Sequence, residues 1–340
     1  MPQKKVICIG SMGKDIFFPL SLHKDHDEAQ GDVPDHFSFS FGSKIHVEDR
    51  FSAPGGCASN VSVGLARLNV DVAISGFVGG DADGEWIVKE LQADGVNTKN
   101  VISMRNAKTD LSVVLVDDRV GERVILVNRD VGEQYTLSEK VLRNHDWCFV
   151  GSLYGSAVSD NMRTLHHVLL KQNINLAYNP GGKNICDDGQ IVLDLVHHAR
   201  VVFVNKDEAS QIIDLLDFPL EEQSVYDEKK IISLIRSHMI HKNAIIVLTD
   251  GRKGAWVGDG VHVLHTDTID KHTKDTTGAG DAFASGFLAG LLYDHDLTSC
   301  VQWGSANSDA VIDHYGAQEG LLGYDIIEER LKDFPVKQIK

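Results

Sequence analysis

The sequence predicts an α/β fold, a central and mostly parallel sheet with helices on both faces, plus a small β lid. Two observations carry that reading. From residue 72 onward short apolar runs alternate with helical stretches, and inside the alternation lie two β-rich runs separated by a polar turn. The apolar runs at 6–9, 72–77, 148–150, 176–178, 201–204 and 244–248 read as buried strands, and 84–93, 161–171, 191–197, 208–216 and 228–238 as helices. Alternation of this kind builds a parallel sheet buried on both faces. No repeat, low-complexity tract or linker interrupts it, so residues 1–340 read as a single domain.

The first strand, 6–9, ends at Gly10. Residues 19–54 break the alternating pattern: an acidic stretch, HKDHDEAQGDVPD, precedes His36-Phe37-Ser38-Phe39-Ser40-Phe41. Three Phe at period two give one apolar strand face. The runs 111–116 and 123–127, separated by 117–122, carry a hairpin signal. Together these predict a lid formed from about 16–54 and 105–130.

Composition narrows the function. The net charge of −16 repels phosphate backbones and argues against nucleic acid, although backbone N–H groups can still hold one anion locally. No window approaches the ~20 apolar residues of a membrane span, and the run at 6–9 is too short for a signal peptide. The five cysteines include no C-x-x-C pair, which fits a reducing cytoplasm. Cys57, in a Gly-rich turn, reads as a reactive thiol or as small-residue packing. His166-His167 and His197-His198 lack H-E-x-x-H spacing and read as solvated helix residues rather than metal ligands.

The strongest local signal is Asp275-Thr276-Thr277-Gly278-Ala279-Gly280-Asp281, followed by the helical pattern AFASGFLAGLLY. A helix start presents unpaired N–H groups and a partial positive charge, and small residues let an anion reach them. Asp281 then falls in the first turn, beside the anion. It either complements the helix dipole or orients an attacking hydroxyl while the backbone holds a moving phosphoryl group. Competing motifs are missing: there is no G-x-x-x-x-G-K-[ST], no D-F-G and no G-x-S-x-G, and Gly76–Asp81 lacks dinucleotide spacing.

DTTGAGDAFASGF resembles the C-terminal signature of the ribokinase-like (PfkB) sugar kinases. Pro54-Gly55-Gly56-Cys57-Ala58-Ser59-Asn60-Val61 is similar to that family's N-terminal signature, and the weaker matches are Asp15, Asn205-Lys206-Asp207-Glu208 and Leu248 to Gly254. The resemblance runs from about residue 6 to 320. It implies a ribokinase-like fold and ATP-dependent phosphotransfer to a hydroxyl of a small sugar, with a nucleoside kinase of the same fold as the alternative and a non-catalytic ligand-binding regulator behind both. It implies Asp281 as catalytic base and Gly278, Ala279 and Gly280 as anion hole. Asp15, Gly55, Gly56 and Asn60 are implied as substrate ligands, and Asn205, Glu208, Thr249, Gly251 and Gly254 as nucleotide contacts. Glu208 would position Mg²⁺ through water, and Asp275 would sit by a monovalent cation such as K⁺. In some relatives the lid pairs between subunits, which implies a homodimer. Asn205 and Glu208 also fit a plain capping box, compatible with the metal role. With an ordinary carboxyl pKa of about 3.9, Asp281 is expected to be ionised at neutral pH. The sequence Asn179-Pro180-Gly181-Gly182 lacks the Arg that fructokinase-type members carry nearby, which argues against a phosphorylated sugar as acceptor.

Overall fold

The computed structural model describes residues 4–20, 38–117, 123–131, 135–216, 227–269, 271 and 273–339. The elements run β1 (Lys5–Ile9), β2 (Gly13–Leu20), β3 (Phe51–Gly55), α1 (Cys57–Arg67), β4 (Asp71–Gly79), α2 (Ala82–Ala93), β5 (Asn97–Met104), β6 (Leu111–Asp117) and β7 (Arg123–Asn128). They continue with β8 (Trp147–Val150), α3 (Val158–Gln172), β9 (Asn175–Tyr178), α4 (Gly182–Asp187), α5 (Gly189–His198), β10 (Val201–Asn205), α6 (Lys206–Leu215), α7 (Glu228–His238) and β11 (Ile245–Thr249). The chain closes with β12 (Ala255–Gly258), β13 (Val263–Thr266), α8 (Ala279–Leu292), α9 (Leu297–Val311), α10 (Tyr324–Arg330) and β14 (Val336–Ile339).

Among the described residues ten strands form one sheet, in the order β14-β13-β12-β11-β10-β9-β8-β1-β4-β5. Neighbours from β11 to β5 pair in parallel, whereas β12, β13 and β14 add an antiparallel edge. The apolar runs are continuous because both faces are covered. In β1, Val6 and Cys8 join a core with Phe287 and Trp303, while Ile7 and Ile9 join a second core with Leu165 and Ile235. Short side chains cap the helices: Asp81 Oδ1 accepts from Gly84 N at 2.9 Å, and Asp296 Oδ1 from Ser299 N at 2.7 Å.

Helix α8 is buried on every side from Ala282 to Gly290. A Cβ on Gly286 would run into the Trp303 carbonyl on α9, so glycine there sets how closely the two helices approach. The first turn of α8 meets Asn179, Asn205 and Thr249, which stand at or just beyond the carboxyl ends of β9, β10 and β11. Crevices outside the carboxyl ends of parallel strands are where α/β sheets bind ligands.

Among the described residues the smaller sheet has four strands in the order β3-β2-β6-β7, with β2 and β6 parallel. Its own core is small: Phe17, Val114 and Val116. The expected strand over 36–41 is a correction. Ser38 to Phe41 are not a strand; Ser43 N bonds Ser40 O in a turn, and Phe41 is fully exposed. His36 and Phe37 lie outside the described residues. Alternation defines a face but does not supply a partner strand. No helix among the described residues is long and apolar enough to cross a membrane.

Candidate active site

The turn before α8 is built around Asp275, which is 1 % exposed. Its Oδ1 accepts from Thr277 N at 2.9 Å and Thr277 Oγ1 at 2.7 Å, and its Oδ2 from Gly316 N at 3.1 Å. Gly278 follows with φ 76°, and a Cβ there would fall on Ala317. Glycine alone meets both demands. Ala282 N bonds back to Gly278 O at 2.8 Å, so helix geometry leaves the amides of Gly280 and Asp281 without intrahelical partners. Apart from its chain neighbours and its own helix turn, no described atom lies within 4 Å of where a Cβ on Gly280 would sit, so this turn is open to its surroundings there.

Asp281, the third residue of α8, turns one oxygen toward α1: its Oδ2 accepts from Asn60 Nδ2 at 2.8 Å. Burial pushes its pKa up, the Asn60 and Cys57 hydrogen bonds oppose that, and the charge of Asp15 adds to the rise. The ordinary carboxyl pKa expected from sequence is therefore corrected upward by desolvation. The Cys57 thiol, beside Asp281 and 3.6 Å from Asn179 Oδ1, is itself pushed far up, first by burial and then by the Asp281 charge. It is a neutral donor, not a reactive thiolate.

Asp15 lies in β2 and is 8 % exposed, against Gly55, where a Cβ would overlap its carboxylate. Burial raises its pKa, while a Ser112 hydrogen bond and the Arg129 charge lower it. Gly56, φ 95°, is the N-cap of α1 and starts the turn that carries Cys57 and Asn60. Thus Asp15, Gly55, Gly56 and Asn60 gather on the β2–α1 side of Asp281.

On its other side a cavity of about 110 Å³ is lined by Asn179, Asn205, Glu208, Thr249, Gly280 and Asp281, among others. The capping box is formed: Glu208 N donates to Asn205 Oδ1 at 2.8 Å, and Asn205 N to Glu208 Oε2 at 3.0 Å. The Glu208 carboxyl is pushed up to about 7, chiefly by burial and further by the Asp281 charge, against the Asn205 N–H. Gly251 and Gly254 do not line this cavity. They flank the turn after β11 with φ 49° and 86°, closed by Asp250 N to Gly254 O at 3.0 Å.

Two contributors were not read from the sequence. The stretch Gly316–Gln318 follows α9 and touches the site through Gly316 N, Ala317 and the Gln318 side chain. Arg123, which opens β7, donates from Nη1 to Thr276 Oγ1. Both meet residues far away along the chain, which no local pattern records.

The pfkB family carbohydrate kinase profile matches residues 27–322. The chain belongs to that family. This pfkB kinase is 28 % identical to an ATP-dependent ribose-1-phosphate kinase of Halopiger xanaduensis, over 76 % of this chain and 80 % of that protein. Its fold matches the nucleoside kinase of Methanocaldococcus jannaschii with a TM-score of 0.75 at 19 % identity, covering 97 % of this chain and 98 % of that one. Arabidopsis thaliana ribokinase complexed with ribose and ATP matches with a TM-score of 0.75 at 19 % identity, over 98 % and 99 %. The pfkB kinase is thus an ATP-dependent kinase with a ribokinase-like fold.

Proposed function

We propose that this kinase transfers the γ-phosphoryl of ATP to a hydroxyl of a small sugar, with Asp281 as the base. The observation that carries the reading is one carboxylate placed beside the free amides of the α8 N-terminus and fixed by the Asn60 amide. The free amides of Gly280 and Asp281, carried by the Gly278-Ala279-Gly280 turn, hold charge on the moving group, and the carboxylate steers the acceptor. Asp15, Gly55, Gly56 and Asn60 hold the acceptor hydroxyls. Asn205, Thr249, Gly251 and Gly254 hold the nucleotide. In a loose transition state the hydroxyl proton leaves late, so placement of Asp281 outweighs its basicity.

The residues fit the ions this chemistry uses. Glu208 and Asp281 face one cavity, and their hydrogen-bond partners are the neutral Asn60, Cys57 and Asn205 groups rather than cations. Mg²⁺ carried with ATP, held by Glu208 through water, would neutralise phosphate charge there. Asp275 is likewise buried against neutral donors, as a neighbour of K⁺ would be.

The small sheet is read as a lid over the acceptor, since Arg123 already joins its hairpin to Thr276. Its β7 is exposed from Val124 to Val127, a face that a second copy of the chain would cover. Five free cysteines fit the cytoplasm.

Ribose, fructose, ketodeoxygluconate, adenosine and inosine, each offered with ATP, separate the sugar reading from the nucleoside one. Asp281→Asn is expected to cut turnover ~10²-fold or more while ATP affinity stays nearly unchanged. Near-normal turnover would reject the base.

A further inference from the structure

We infer that Gln318 is a positioning residue for Asp281, because its side-chain amide locks Asn60 in the one orientation that presents N–H to the carboxylate. Gln318 is 5 % exposed, and it lies on the loop between α9 and α10. Its Nε2 donates to Asn60 Oδ1 at 3.0 Å and to Ser59 Oγ at 2.8 Å. Asn60 Nδ2 in turn donates to Asp281 Oδ2 at 2.8 Å. The relay is polar in one direction: Gln318 donates to Asn60, and Asn60 donates to Asp281.

A primary amide has a donor end and an acceptor end of nearly equal shape, so packing alone does not choose between its two flips. Charge does. With Asn60 flipped, its carbonyl would face the Asp281 carboxylate and its N–H groups would face those of Gln318. Both contacts would become repulsive, with Asn60 and Gln318 each 5 % exposed and little water to relieve them.

Gln318 is itself held from behind. Arg67 Nη1 donates to Gln318 O at 2.8 Å, and the same guanidinium is paired with Asp94 through Nε at 2.8 Å and Nη2 at 3.2 Å. Two residues earlier, Gly316 N grips Asp275, and Ala317 packs on Gly278. One short stretch therefore sets both the phosphate turn and the orientation of the proposed base.

This inference rests on Asp281 as base, and the experiment separates the two. Gln318→Met keeps the side-chain length and removes the donor; Gln318→Glu keeps the shape and replaces the donor with an acceptor. Each full-length variant is assayed across pH with whichever acceptor of the panel wild type turns over fastest. Gln318→Met should lower kcat about tenfold with KM for ATP unchanged, because a loosened base spends less time aligned. It should also move the acid limb of the rate profile to higher pH, since Asp281 loses a hydrogen bond that favours its ionised form. Gln318→Glu should be worse than Gln318→Met, because two carboxylates then compete for the one N–H end of Asn60 and Asp281 keeps that bond only part of the time. A packing role predicts the reverse order and an unmoved limb, and that result would overturn the relay.

If neither variant folds, Arg67→Lys, which loosens Gln318 from outside the relay, should move the limb the same way, and an unmoved limb would equally refute it. A crystal structure of Gln318→Met needs no acceptor: Asn60 Nδ2 still bonded to Asp281 would also overturn the proposal. Turnover that survives Asp281→Asn would instead remove the base itself.

Discussion

The first strand and the seventh make the contrast on which the molecule is built. β1 has helices over both faces, and Val6, Ile7, Cys8 and Ile9 are all 0 % exposed. β7 is just as apolar, yet Val124, Ile125, Leu126 and Val127 are 41 %, 41 %, 57 % and 59 % exposed. Composition is the same and burial is opposite. Apolar sequence establishes that a strand wants a cover; only its place in the sheet decides whether this chain supplies one. The well-covered sheet carries Asn205 at the end of β10 and packs the helices that carry Glu208 and Asp281, the groups proposed to need close placement. The thinly packed sheet reaches them through Arg123 and Thr276.

The largest effect should come from the covered side. Phe287 is 0 % exposed, and its ring lies edge-on to Phe203 at 5.8 Å and stacked with Phe283 at 6.1 Å. Phe287→Ala should cost about 3–5 kcal/mol through the cavity it leaves. A denaturant titration showing a loss near that of a surface change would mean that α8 repacks freely, and that the contrast between the two sheets is false.

Next comes Glu208. A carboxyl whose folded pKa is raised to about 7 from an ordinary glutamate value of 4.5 favours its neutral form in the fold. That contribution is complete below the unfolded pKa and disappears as pH rises through about 7. Above pH 7 the ionised group costs at most about 3 kcal/mol. Glu208→Gln keeps the capping box and abolishes the charge. It should melt several degrees higher than wild type at alkaline pH, match it in acid, and lose turnover at both. Thermal scans at the two pH extremes check the sign; equal shifts at both would show that ionisation is irrelevant.

Arg123→Ala tests the bridge between the sheets. Turnover should fall about tenfold, with more ATP hydrolysed per acceptor phosphorylated and little change in melting temperature. An unchanged ratio of transfer to hydrolysis would separate the hairpin from the chemistry.

The same contrast explains what was legible in the sequence. The parallel strands β1, β4, β8, β9, β10 and β11 could be read because each is apolar on both faces; β5, Asn97–Met104, which pairs in parallel with β4, was missed because it is mostly polar and none of its residues is buried. The capping box at Asn205 and Glu208 could be read because it is complete within four residues. The antiparallel edge was missed: β14, Val336–Ile339, has two consecutive exposed polar residues, Lys337 and Gln338, and no period-two pattern, so a short edge strand looks like loop. Residues 38–41 were over-read, since a Phe–Ser alternation fits a turn as well as a strand. Gln318 was invisible, because it acts on Asn60, 258 residues earlier. The elevated pKa of Asp281 was hidden too, since it arises from burial that only tertiary packing creates.

The smallest expected effect on the folded monomer lies on β7. Leu126 and Val127 pair with Val113 and Ser112 of β6 through the backbone, and their side chains are mostly in solvent. Replacing Leu126 by Asp should therefore change monomer stability by about 0.5 kcal/mol or less. Successive residues of a strand point to opposite faces, so a strand exposed at every position from Val124 to Val127 offers apolar surface on both sides, and among the described residues no strand pairs with its outer edge. If a second copy of the chain covers that surface, wild type should sediment as a dimer and Leu126→Asp as a monomer with the same melting temperature at high dilution. A wild type that is monomeric at every concentration would leave the contrast between β1 and β7 intact and remove the second copy as the cover.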